Sequence, residues 1–386
     1  MPAHSRPTEA ASRPHFCPIT STTLETILKR LIAATFAIPL MCSTAWAQSS
    51  VTLFGSVDNG LTYVNNYGGH SLVEMQDGVN KSNSLGFTGS EDLGGGMHAF
   101  FKLENGFSLN TGALGQGGLL FGKQAYLGLG DDSIGEVTMG RQYDYTVLLE
   151  HYLPCLNCGL FGVQNADLDR VSGERLNNTV QFNSATFGGF KGGVMYSFGQ
   201  NLGAQSTNLG RAISANLQYA YGGFSAGAVL TDIDKAAVFA GLTGAPTVLG
   251  VVVTPTTALV VDNQRILGFG ATYVYGAWSA AALYTNTRLK LAGNTATNQI
   301  LHVGGNWHIW PDLVLTGKVS FDHFESSRWY TATASIDYLL SKRTDVYVDL
   351  DAQKASGPGT VASIALTAPS STDRQFVSRV GIRHLF

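Results

Sequence analysis

The sequence predicts an all-β fold: a closed antiparallel barrel of sixteen strands that crosses a membrane. Three observations carry this. Segments of about ten residues alternate apolar and polar side chains, as strands do when one face meets lipid and the other water. The connections alternate between short turns and long polar stretches. Aromatic residues gather at the ends of the apolar faces, where a bilayer interface holds them. Composition agrees. The 386 residues include 46 glycines, and only 13% are charged against 44% hydrophobic. So few charges exclude a disordered chain, and a net charge of −3 excludes a basic nucleic-acid binder.

The first element is a targeting segment. Lys29-Arg30 precedes the apolar run Leu31 to Met41, and Ala45-Trp46-Ala47 supplies an A-x-A cleavage site. The run is too short for a membrane anchor, since a spanning helix needs ~20 apolar residues. Residues 1–47 are expected to leave, and the mature chain to be 48–386. The leader carries four basic and two acidic residues. The mature chain therefore falls from 24 basic and 27 acidic residues to 20 and 25, a net of −5.

The strands follow. In 213–221, Ile213, Ala215, Leu217, Tyr219 and Tyr221 share one face. In 299–309, Leu301, Val303, Trp307 and Ile309 alternate with Ile300, His302, Asn306 and His308. Segments 313–322 and 376–386 repeat the pattern. Tyr219, Tyr221, Tyr273, Tyr275, Trp307, Trp310 and Phe386 end the apolar faces. Short turns fall at 187–189, 220–223, 275–277, 310–312 and 340–342. The long stretches are 65–80, 108–121, 144–174, 199–211, 232–264, 288–298, 323–328 and 355–373. Eight such loops imply sixteen strands. The uncharged run 236–261 holds two prolines and β-branched residues, so it reads as a long apolar loop or a strand extension rather than a helix. Closure is a physical requirement: hydrocarbon offers backbone groups no partner, so no sheet edge can stay open. The first strand, Val51–Tyr63, must pair with the last, Asp373–Phe386. A secreted sandwich with one apolar face shares the alternation, and the aromatic placement argues against it.

Several stretches resemble the general porins of Gram-negative bacteria, of the beta-proteobacterial type. They are Ser50–Gly60, Leu85–Gly94, Phe101–Phe107, Gly140–Asp144, Arg175–Thr179, Leu339–Thr344 and Val380–Phe386, in order along the mature chain. The resemblance implies an outer-membrane homotrimer through which small hydrophilic solutes diffuse. It also implies contact with outer-membrane lipid and lipopolysaccharide, and insertion by the barrel-assembly machinery with Phe386 as part of the signal. In that family the third long loop, here 144–174, folds into the lumen, and its acids face basic groups on the wall. The resemblance puts Arg141, Arg175 and Lys123 on the basic wall; the parity of Asn177, Thr179 and Gln181 supports Arg175 independently. It puts Glu150, Asp167 and Asp169, with Glu174, on the acidic loop. Ser84 and Ser56 depart from the family by standing where bases are found. Lys102 and Glu104 read as a structural pair on the wall.

Cys155 and Cys158 are the only cysteines of the mature chain. A redox pair needs a helix N-terminus to activate its thiolate, yet Pro154 and Gly159 flank this pair in a loop. A zinc site needs soft ligands beyond His151. A local disulfide suits the oxidising compartment. No catalytic motif, metal site or cofactor site is expected. The function that follows is passive diffusion. A substrate-specific sugar or dicarboxylate channel and a surface adhesin or receptor barrel are the alternatives. The mature chain is net −5, Ser56 and Ser84 leave two basic wall positions without charge, and Asp345, Asp349 and Asp351 share an inward face against Arg141, Arg175, Lys191, Lys318, Arg379 and Arg383; the balance is close, and a mild preference for cations is expected.

Overall fold

The computed structural model describes residues 50–155, 158–199 and 209–386; the expected leader and its cleavage site lie outside them. The wall is a closed barrel of sixteen antiparallel strands. They are β1 (Ser50–Tyr67), β2 (His70–Asp77 continued by Ser84–Gly94), β3 (Met97–Gly106), β4 (Gln124–Asp131), β5 (Gly135–Tyr143), β6 (Arg175–Ser184), β7 (Phe190–Phe198) and β8 (Arg211–Tyr221). The second half adds β9 (Phe224–Asp234), β10 (Asn263–Tyr275), β11 (Trp278–Leu291), β12 (Asn294–Trp310), β13 (Leu313–Phe324), β14 (Ser327–Leu339), β15 (Thr344–Ser356) and β16 (Arg374–Leu385). β2 is one interrupted strand, because both of its pieces pair with β1: Asn59↔Asp77 onward above, and Ser50↔Ser90 through Ser56↔Ser84 below. Residues 78–83 leave the wall between them.

Each strand pairs with the next, and β1 pairs with β16 from Ser56↔Leu385 to Val64↔Val377. Phe386 extends that seam: its N–H donates to the Gly55 carbonyl (3.1 Å) and its carbonyl accepts from the Gly55 N–H (2.9 Å). Leu127, Leu129, Ile213, Leu217 and Val380 face outward, among many exposed apolar side chains, as the outer wall of a membrane barrel requires. At the rim with the short turns, Trp278 and Trp307 stack with centroids 4.6 Å apart.

Three of the eight expected long loops are tight turns. Strands run through 65–80, 288–298 and 323–328, turning at 68–69, 292–293 and 325–326. Gly68-Gly69 and Ala292-Gly293 take positive φ at both positions (61° and 107°, 48° and 84°), the geometry of a two-residue hairpin. β12 has 17 residues, well beyond the ~9–11 that cross a bilayer. Its upper part therefore stands in water, where both faces are polar and imitate a loop.

The loops 235–262 and 357–373 fold inward together. Residues 235–262 form two short ladders, Ala237–Val238 with Leu259–Val260 and Thr247–Val248 with Val251–Val252. Their apolar side chains enter a core with Phe324, Trp329, Ala362 and Ala365. Val361 N–H donates to Gly244 O (3.0 Å) and Ser363 Oγ to Leu242 O (2.6 Å), joining this loop to 357–373. The apolar run 236–261 is thus a plug over part of the barrel mouth.

Candidate functional site

Residues 144–174 are the third long loop, and they lie within the lumen. Asp144 caps a 3₁₀ helix, Tyr145–Tyr152, by accepting from Thr146 N–H (3.0 Å). The helix sits on a floor of glycines. A Cβ at Gly193 would meet Tyr145, one at Gly268 Leu149, and one at Gly227 or Gly270 Tyr152. Inward apolar residues of β9 and β11, Val229, Ile233 and Leu283, complete the bed. Beyond Pro154 the loop crosses to the far wall. Asn306 Nδ2 donates to Pro154 O (3.1 Å), Lys318 Nζ to Gly162 O (2.8 Å), and Gln164 Nε2 to Asp322 (2.7 Å). It returns through Gln264 Nε2 to Leu168 O (2.7 Å), and Arg170 closes it on Asp144 at 2.6 Å.

The loop therefore seals the lumen against β9–β14 and leaves a water-accessible cavity of about 490 Å³ along the wall from β2 to β6. Lys81, Lys102, Lys123 and Arg175 line it, with Glu104 and Glu150 as the acids. Glu104 is 3.2 Å from Lys102 and 3.6 Å from Lys123. The Arg175 guanidinium lies 4.5 Å from the centre of the Tyr143 ring and donates to its hydroxyl (2.6 Å).

Of the residues singled out from sequence, the structure gathers Lys123, Arg175 and Glu150 around this cavity. It sets three apart. Arg141 pairs across the ladder with Ala125, neighbour of the lipid-facing Leu127 and Leu129, and donates to Gly122 O (2.8 Å) and Asn177 (2.5 Å). Asp169 is buried against β11, accepting from Thr285 Oγ1 (2.8 Å). Asp167 accepts from Ser172 N–H (3.1 Å) and Oγ (2.6 Å). Burial first, then the Asp169 charge, pushes the Asp167 carboxyl up to about 8; burial raises Asp169 as well. Cys155 and Cys158 stand with Cα atoms 5.5 Å apart and their sulfurs in bonding contact. Ser84 and Ser56, at the positions where bases were expected, hydrogen-bond each other (3.1 Å).

Lys81 is the residue that sequence reasoning missed. It sits on the inward detour 78–83. That detour is held by Asp58, whose carboxylate accepts from Val79 N–H (3.1 Å), Tyr347 Oη (2.9 Å) and Arg379 Nη2 (2.9 Å). Leu160 N–H of the third loop donates to Val79 O (3.1 Å), so detour and loop brace each other across the cavity. The turn formers Gly78 and Asn80 between two strand patterns were the available signal.

Residues 33–358 match the profile of the Gram-negative porins. The chain belongs to that family. It is 29% identical to outer membrane porin protein 32 of Delftia acidovorans over 379 residues, 93% of this chain and 99% of that protein. An outer membrane porin protein of Bordetella pertussis is 30% identical over 221 residues, 50% of this chain and 57% of that protein. Among solved structures, the anion-selective porin from Comamonas acidovorans superposes with a TM-score of 0.71 at 25% identity, covering 88% of this chain and all of that one. This porin is accordingly an outer-membrane channel.

Proposed function

We propose that this porin passes small hydrophilic solutes by passive diffusion, with no chemical step, and that it prefers anions. The observation that supports this is the charge of the cavity wall: four bases, Lys81, Lys102, Lys123 and Arg175, against Glu104 and Glu150. The selectivity named for the Comamonas porin agrees. The mild cation preference expected from the inward residue count does not suit this geometry. Asp345 pairs with Arg383 (3.0 Å), while Asp349 and Asp351 accept from Ser335 and Thr333 (2.6 Å each). All three are buried, so none faces the permeating ion. A narrow water-filled path between low-dielectric walls focuses the field of the groups that do.

The same reading includes the homotrimer usual in the family, removal of residues 1–47, a Cys155–Cys158 disulfide that stiffens the third loop, and Phe386 as an assembly signal. Lipid, lipopolysaccharide and the assembly machinery are its membrane partners. The test of selectivity is the zero-current potential of purified protein in a planar bilayer under a KCl gradient. The wild type should lie on the anion side in dilute salt and approach neutrality near 1 M, where the Debye length is ~3 Å. Lys81→Glu should lower the anion-to-cation permeability ratio about two- to fivefold, the effect of a charge a few ångströms away in water. A wild-type potential on the cation side refutes the proposal.

A further inference from the structure

We infer that the periplasmic half of the path holds a binding site for saccharides in their closed-ring form; the inference rests on the path running along the basic wall. Beneath the third loop, on the side of the short turns, lies a second cavity of about 290 Å³. Outer-membrane barrels turn those short connections to the periplasm. Gln124, Tyr143, Val147 and Leu148 line both this chamber and the basic cavity above it. A solute that passes the bases therefore enters the chamber next. Two rows of its wall are set by strand register. Phe100 of β3, Gly128 of β4, Thr138 of β5 and Gln181 of β6 stand abreast, and the row below is His98, Gly130, Glu136 and Asn183. Both rows point into the lumen, since the alternating Leu127, Leu129, Val137 and Met139 are exposed on the outer wall. The glycines seat the rings: a Cβ at Gly128 would meet the Phe100 ring, and one at Gly130 the His98 ring, each at 2.4 Å. Tyr126, one row higher, meets Phe100 edge-on with centroids 6.4 Å apart, and His98 follows Phe100 at 5.5 Å. The three rings make a strip along one side of the chamber. The carboxamides of Gln181, Asn183 and Gln218 make the other.

Phe100 is out of place on an inward face. Val229, Ile233 and Leu283 are apolar and inward too, but the third loop buries them; Phe100 lies outside that core and keeps part of its surface open to the lumen. A ring face left in water gains by covering another apolar surface, and its negative π cloud favours weakly positive C–H groups. A carboxamide both donates and accepts hydrogen bonds, as a hydroxyl does. A pyranose offers the two together, a flat C–H face and a rim of hydroxyls. An ion gains little in the chamber. Asp144 is held by Arg170, and the other charges on the wall are one acid, Glu136, and one base, Lys191. The bases above select by charge, and the chamber below selects by shape and hydrogen bonding.

The test compares glucose with sorbitol, an open-chain polyol of similar size that has no ring face. Saturation-transfer NMR on the detergent-purified porin reads binding wherever the path lies. Ion current through the porin in a planar bilayer reads whether the bound sugar stands in the path. Glucose should receive saturation and sorbitol far less. Glucose should also reduce the current with a saturable dose dependence, while sorbitol lowers it only as it lowers the conductivity of the solution. Phe100→Leu, which keeps apolar bulk and removes the ring, should weaken both glucose effects about two- to tenfold, the worth of one aromatic contact. Equal saturation of the two polyols by the wild type, or none of either, overturns the inference and leaves the path untouched; this comparison stands whether or not the variant folds. Wild-type glucose affinity in Phe100→Leu overturns it too. Glucose binding that Phe100→Leu weakens, with no effect of glucose on the current, supports the site and contradicts the path along this wall.

Discussion

Lys81 reaches the cavity because a single buried carboxylate bends the chain towards it. Asp58 and Arg379 are both fully buried and 2.9 Å apart. Removing either leaves an uncompensated charge, a loss of several kcal/mol, and frees the detour that carries Lys81. A second residue-scale consequence concerns pH. The Asp167 carboxyl, pushed up to about 8 from an ordinary 3.8, keeps its proton in the seated loop across a range where the released loop would give it up. The seated form binds more protons in that window, so its advantage falls as pH rises from about 4 to about 8 and is least above 8. Current noise from the third loop should therefore increase between pH 5 and pH 9, and Asp167→Asn should flatten the increase. Single-channel recordings across this range check it; noise that falls with rising pH contradicts the assignment.

The glycine floor under the 3₁₀ helix is the element-scale device. A Cβ at Gly270 overlaps the Tyr152 side chain at its base, which cannot swing away as the end of a long side chain could. Gly270→Val should lift the helix, at a cost of about 1–3 kcal/mol for overpacking, and widen the path. Larger single-channel conductance and faster entry of bulkier sugars into liposomes are expected; an unchanged conductance counts against the floor. Elements differed in how well the sequence revealed them. In β8 and β12 the alternation around Leu217 and Val303 was plain, because one face meets lipid. Above the bilayer it faded, so the turns at 68–69, 292–293 and 325–326 hid inside polar stretches. Val229, Ile233 and Leu283 are apolar on the inward face because the third loop packs on them, a requirement invisible until that loop is placed. The site was legible where a residue's own strand fixes its direction, as for Arg175. It was not legible where direction depends on a detour, as for Lys81, or on what a loop covers, as for Asp349 and Asp351.

At the scale of the whole molecule, the barrel is an asymmetric container. Loops 144–174, 235–262 and 357–373 fill it against β9–β15, and the cavity proposed as the path lies beside β2–β6, where the bases are. The net charge of the chain is negative, yet on the proposed path a solute meets a positive wall, because the acids of β15 are sealed and those of the rim are paired. Where the path lies is the central claim. It is tested most directly by thiol accessibility in single channels, with Lys81→Cys and Asp351→Cys each exposed to a water-soluble methanethiosulfonate reagent during recording. The account predicts a stepwise fall in current for Lys81→Cys and none for Asp351→Cys. Rapid modification of Asp351→Cys with Lys81→Cys inert would place the path on the opposite wall and contradict it.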